Sequence, residues 1–151
     1  MIKSPIPILL AEDDDGHAVL IQDVFNEDRG AARVFRVNDG QEAMDYLYNR
    51  GHYTSAVKAP RPRLILLDIA MPKLDGLEVL RRVKADTKLR TIPIVMLTSS
   101  DRQKEIDKSY RLGASSYVTK PTDYDGLCVK LRKLRSFLGI LEFPQNGGES
   151  P

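Results

Sequence analysis

The chain has 151 residues, 42% hydrophobic and 29% charged, which is the composition of a globular domain large enough to bury a substantial core. Its 23 basic and 21 acidic residues leave a net charge of +2, so nothing argues for binding nucleic acid or an anionic membrane surface. The single cysteine, Cys128, excludes an internal disulfide, no signal-peptide layout opens the chain, and no apolar run nears the ~18 residues that span a bilayer; the expected location is the cytoplasm.

Taken in chain order, the apolar run Ile6–Ala11 predicts a first strand. Leu20, Ile21, Val24 and Phe25 recur at helical spacing and predict a helix over 16–28. Residues 34–37 predict a second strand, and Ala43, Met44, Leu47 and Tyr48 a second helix over 41–49. Gly51, Pro60 and Pro62 break both patterns, so 50–63 is read as a loop. Leu64–Leu67 is apolar at every position and predicts a third strand; Leu77, Leu80 and Val83 mark the helix after it. Shorter runs at 94–97 and 116–118 predict two further strands. Between them, Ile106, Tyr110 and Leu112 mark a helix, and Leu127, Leu131, Leu134 and Leu138 mark the last and longest one. Asp101 and Asp123 are read as N-caps of these two helices. The folded unit is expected to end at 138, with 139–151 as an extension whose last residues are disordered.

Strands that are apolar throughout, instead of alternating, are buried on both faces. With helices between them, they predict a parallel α/β sheet with right-handed crossovers. Ligands of such sheets bind at the carboxyl ends of the strands. Glu12 and Asp13 follow the first strand, Asp68 the third, Thr98 to Ser100 the fourth, and Lys120 with Pro121 the fifth. Three carboxylates together repel one another unless a cation lies among them. Hard oxygen donors suit Mg²⁺, and a carboxylate beside that ion can act as a nucleophile toward phosphorus. Lys120 and Thr98 supply charge and a hydrogen-bond donor for the transferring oxygens.

These segments carry a resemblance. Ile8 to Asp14, Leu64 to Gly76, Val95 to Ser99 and Tyr117 to Pro121 resemble the signature segments of response-regulator receiver domains, in order and at suitable spacing, within about residues 6–138. The resemblance implies a flavodoxin-like (βα)5 fold with parallel strands ordered 2-1-3-4-5. It implies Asp68 as phosphoacceptor, Asp13 as direct metal ligand, Glu12 as an acidic neighbour acting through water, and the Ala70 carbonyl as a further metal ligand. It also implies Thr98 as the switch hydroxyl, Tyr117 as the aromatic that repacks with it, Lys120 as the phosphate-binding lysine, and a cis bond before Pro121. Glu12 departs from the commoner aspartate but keeps the charge. Ala70 and Ser100 are small, which leaves water access to the phosphate. The loop from Gly51 to Ala56, the stretch Lys120 to Asp123 and the tail resemble the stand-alone receivers that partner cyanobacterial and bacterial phytochromes. That implies a phytochrome-type histidine kinase as partner and a homodimer built on the fourth and fifth helices, the fifth strand and the tail. Phe137, Leu138, Ile140, Leu141 and Phe143 are too apolar for a solvated extension and are the expected dimer or partner surface.

Other residues take plainer readings. His17 is read as a solvated residue of the first helix, with metal binding beside the acidic run as the alternative, Asp14, Asp15 and Asp75 as caps or solvated charges, and Cys128 as helix packing. The basic run Lys130 to Arg135 is read as the outer face of the last helix. The expected function is a non-enzymatic, single-domain response regulator; the rivals are an aspartate-nucleophile phosphotransferase and a scaffold indifferent to phosphorylation. An enzyme of that type usually needs an acid–base aspartate two residues after the nucleophile, where this chain has Ala70.

Overall fold

The computed structural model describes residues 5–28 and 30–144. Among them, strands and helices alternate: β1 (Ile6–Ala11), α1 (Asp15–Asn26), β2 (Ala32–Val37), α2 (Gly40–Leu47), β3 (Leu64–Leu67), α3 (Gly76–Ala85), β4 (Ile94–Thr98), α4 (Gln103–Arg111), β5 (Ser116–Thr119) and α5 (Tyr124–Leu138). All neighbouring strands are parallel, in the order β2-β1-β3-β4-β5. The expected flavodoxin-like architecture is therefore present.

The two-residue period of a strand explains why the strands read as unbroken apolar runs. Leu9, Ala11, Ile65, Leu67, Ile94 and Met96 face α2 and α3, packing with Ala43, Met44, Leu47, Val79, Leu80 and Val83. The alternate residues Ile8, Leu10, Leu64, Leu66, Val95 and Leu97 face α1 and α5, against Ile21, Val24, Phe25, Leu127, Leu131 and Leu134. Each fully buried leucine contributes roughly 1.5–3 kcal/mol of transfer free energy. In β3 all four residues are buried, which seats the strand rigidly beneath Asp68.

Aspartates cap four of the helices. Asp14, Asp39, Asp75 and Asp123 accept from the amides of His17, Glu42, Glu78 and Gly126 at 2.7–2.9 Å. Helix α4 starts differently, and Asp101 is not its cap. Arg102 occupies the N-cap position and makes no side-chain cap bond; Ser100 Oγ takes the Arg102 amide and donates to Glu105. The inner face of α4 also differs from expectation. Ser109 is buried and satisfies its hydroxyl on the Glu105 carbonyl at 2.8 Å, whereas Tyr110 is exposed. Cys128 packs in the α1–α5 core as expected.

The segment 50–63 holds a short 3-10 turn, Gly51–Tyr53, and is tied down by Tyr46, whose hydroxyl donates to the Pro60 carbonyl at 2.9 Å. The basic run of α5 is engaged within the chain. Arg132 and Arg135 both bond Glu27, the C-cap of α1, and Lys130 donates to the Thr119 carbonyl.

Two expectations for the tail change. Leu138 turns into the α1–α5 core, and Phe143 packs against the same cluster, so neither is a free surface residue; Phe137, Ile140 and Leu141 remain exposed. The helical spacing from Leu127 through Leu138 already places Leu138 on the buried stripe. The expected disorder of 145–151 concerns residues outside those described. The expected cis bond before Pro121 is also corrected, because none of the described peptide bonds is cis. An X–Pro bond favours trans by about 0.5–1 kcal/mol unless its surroundings reverse that preference.

Candidate functional site

The carboxyl ends of β1, β3, β4 and β5 converge on one rim. Backbone bonds extending the sheet set its residues: the Glu12 amide donates to the Val37 carbonyl, the Asp68 amide to Ala11, and the Lys120 amide to Thr98. Asp68 thus emerges from the middle of the sheet between the ends of β1 and β4. Behind it, α3 approaches as closely as a backbone allows. The Gly76 amide donates to the Ile69 carbonyl, and a Cβ at Gly76 would lie 2.0 Å from the Asp68 carbonyl oxygen. Only glycine admits that contact.

Glu12, Asp68, Thr98 and Lys120 are all buried, while Asp13 is exposed at the mouth. The carboxylate oxygens of Glu12, Asp13 and Asp68 lie within 4.8 Å of one another. Lys120 Nζ lies 2.6 Å from Glu12 Oε1, 3.0 Å from Asp68 Oδ2 and 3.0 Å from His17 Nδ1. Burial pushes the Glu12 carboxyl up to about 7; the Lys120 hydrogen bond opposes this and the charge of Asp68 adds to it. Concentrated negative charge in a desolvated place is costly, and a single lysine offsets only part of it. Three oxygen donors at this separation, with an open side at Asp13, fit a hard divalent cation.

The groove over these residues encloses about 320 Å³ and also meets Ala70, Ser100 and Glu105. The structure therefore brings together Glu12, Asp13, Asp68, Ala70, Thr98 and Lys120. Tyr117 stands apart from the groove. It is half-buried in the middle of β5, and its hydroxyl donates to the Ser100 carbonyl at 2.8 Å, which links β5 to the loop leaving Thr98. Phe137, Leu138, Ile140, Leu141 and Phe143 form no part of the rim. Asp14 and Asp75 are helix caps, and Asp15 pairs with Arg36 at 2.9 Å. A wider hollow of about 420 Å³ lies between α2 and α3, but its arginines are paired already, Arg81 and Arg82 with Glu78 and Arg50 with Asp45.

Two groove residues escape a reading of the sequence. His17 is not simply solvated, since its ring reaches Lys120; its only signal is a place in the first turn of the helix after the acidic run. Glu105 enters through its bond to Ser100, which depends on how α4 begins.

Residues 8–132 match the family described as the response regulator receiver domain. The probable methanogenesis regulatory protein FilR2 of Methanothrix harundinacea is 35% identical over 89% of this chain and 84% of its own length. Response regulator Rcp1 of Synechocystis is 36% identical, over 88% of each chain. Among solved structures, the phosphorylated cyanobacterial phytochrome response regulator RcpA superposes with a TM-score of 0.88 at 36% identity, covering 94% of this chain and all of its own. The Mn²⁺-bound form of Rcp1 gives 0.87 at 35% identity, covering 93% and 99%.

Proposed function

Because this chain belongs to the response regulator receiver family and serves phosphorylation-based two-component signalling, we propose that Asp68 is its phosphoacceptor and a histidine kinase its donor. The observation that carries this reading is the buried Asp68 carboxylate, held by Lys120 on one side and facing an open acidic mouth on the other.

An Asp68 carboxylate oxygen attacks the donor's phosphorus. The new O–P bond forms as the P–N bond to the donor imidazole breaks, and the imidazole leaves with the electron pair. Lys120 exchanges its bond to Asp68 for one to a phosphoryl oxygen, and the Thr98 hydroxyl donates to another. A divalent cation, Mg²⁺ in this reading, would be held by Asp13, Asp68 and the Ala70 carbonyl, with Glu12 acting through water. When bound, it supplies positive charge that offsets charge on the transferring oxygens. Movement of Thr98 draws on the Ser100 loop and so on Tyr117, which repacks and alters the α4–β5–α5 surface.

The same proposal makes the chain a switch without turnover of free substrates, since Ala70 offers no acid–base group beside Asp68. It takes residues 1–138 as the receiver unit, with signalling from the cytoplasm; among the described residues no helix is long and apolar enough to cross a membrane. Similarity to Rcp1 and RcpA supports a phytochrome-type kinase as partner. Exposed Phe137, Ile140 and Leu141 support a homodimer.

Intact-mass measurement after incubation with acetyl phosphate and Mg²⁺ tests the central claim. Wild type should gain one phosphoryl group and Asp68→Asn none. An unchanged wild-type mass, or equal labelling of the variant, would defeat it.

A further inference from the structure

Lys120 is 3% exposed, so each of its three N–H donors needs an acceptor. Three acceptors are present: Glu12 Oε1, Asp68 Oδ2 and His17 Nδ1. Two of them are redirected in the phosphoryl transfer read above, because Asp68 gains a mixed-anhydride (acyl phosphate) bond and Glu12 would be engaged by the water shell of a bound cation. Only His17 has no part in either event.

We propose that His17 is a positioning residue, the fixed acceptor that holds the Lys120 ammonium in place while its two carboxylate partners are redirected. The proposal rests on the reading of Asp68 as phosphoacceptor. An ammonium has no lone pair, so the imidazole must accept at Nδ1 and carry its proton on Nε2. The backbone orients the ring, since the His17 amide is bound to the capping carboxylate of Asp14 at 2.9 Å in the first turn of α1. That turn belongs to the helix packed on α5, across the sheet from α2 and α3, so the anchor does not depend on the loop carrying Thr98 and Ser100. A lysine with two labile acceptors and no fixed one would meet the incoming phosphoryl group in several orientations, and misplacement of a charged donor slows transfer.

The test uses full-length protein in three forms: wild type, His17→Leu, which keeps bulk without an acceptor, and His17→Asn, whose amide oxygen stands near the position of Nδ1. Labelling by acetyl phosphate at saturating Mg²⁺ should be about fivefold slower in His17→Leu, and His17→Asn should recover most of the rate. Cation affinity measured by calorimetry should stay within about twofold in both, because His17 acts on the lysine and not on the ion. Long-range ¹H–¹⁵N spectra of metal-free wild type should show His17 as the Nε2–H tautomer, with His52, the protein's other histidine, as internal comparison.

Wild-type rates in His17→Leu would overturn the proposal. So would rates in His17→Asn as slow as in His17→Leu, a fall in cation affinity matching the fall in rate, or a proton on Nδ1. If wild type itself is not labelled at Asp68, the phosphoacceptor reading falls instead, and the tautomer still decides whether His17 accepts from Lys120.

Discussion

The carboxyl rim of the sheet buries Glu12, Asp68 and Lys120, whereas the end of α5 leaves Phe137, Ile140 and Leu141 in solvent. The two regions invert the usual partition, in which charge stays wet and hydrocarbon is hidden. Each inversion has a cost that the isolated chain does not recover. At the rim, desolvated carboxylates are only partly compensated by one lysine, a deficit that suits a divalent cation. At the end of α5, exposed apolar area is the feature on which the proposed dimer rests. The rim is rigid, set by strand ends and by the Gly76 contact. The helix end is bounded on one side by Leu138 and Phe143, which anchor the extension to the core and leave its outer face free. Departures from the rule thus coincide with the proposed input and the proposed output, and the fold that lies between them obeys it.

The comparison breaks most visibly at Lys120. Lys120→Met leaves Glu12 and Asp68 buried without their cation, and the expected loss in chelator is about 3 kcal/mol by urea denaturation. Saturating Mg²⁺ should return part of it, since an ion that binds only the folded chain stabilises it. A loss below about 1 kcal/mol would mean that the rim tolerates its charge without help. At the other region, the double variant Ile140→Asp, Leu141→Asp should weaken self-association about tenfold in sedimentation, while urea stability stays within about 0.5 kcal/mol. Truncation after residue 136 is a poorer experiment, because it removes Leu138 from the core. Equal sedimentation of wild type and variant would leave the exposed patch without a role in a dimer.

The smallest effect joins the regions through α1. Glu27, held down to about 2 by Arg132 and Arg135, ties α1 to the outward side of α5. A carboxyl lowered in the folded state stabilises above its ordinary value of 4.5, and that contribution is lost as pH falls toward about 2. Glu27→Gln should therefore melt about 1–2 °C below wild type at pH 7, with the gap closing between pH 4.5 and 2. A gap that persists at pH 2 would assign the loss to packing instead of charge.

Much of this was legible in the chain because both faces of the sheet are covered. Leu64–Leu67 could be recognised as a central strand from its unbroken apolarity, and the polar residue after each such run marked the rim. What escaped depends on rotation and on long-range contact. Ile106 and Leu112 mark the inner side of α4 correctly, but Ser109 is buried there with its hydroxyl bonded within its own helix, which no apolar signal announces, and exposed Tyr110 supplies a false one. The meeting of His17 with Lys120 joins positions 103 residues apart and follows from the pitch of α1, which periodicity alone leaves open. Leu138 belongs, by its spacing from Leu131 and Leu134, to the inner stripe and not with its apolar tail neighbours.

The bond from Lys120 to Glu12 spans 108 positions, and Asp68 sits between the strands that carry them. No stretch of chain much shorter than the sheet contains Asp68, the proposed acceptor, together with Glu12 and Lys120. On the reading of Asp68 as phosphoacceptor, a polypeptide still emerging from the ribosome, before β5 has joined the sheet, lacks the lysine its site needs. Competence at the proposed site would in this sense certify that the sheet is complete through β5.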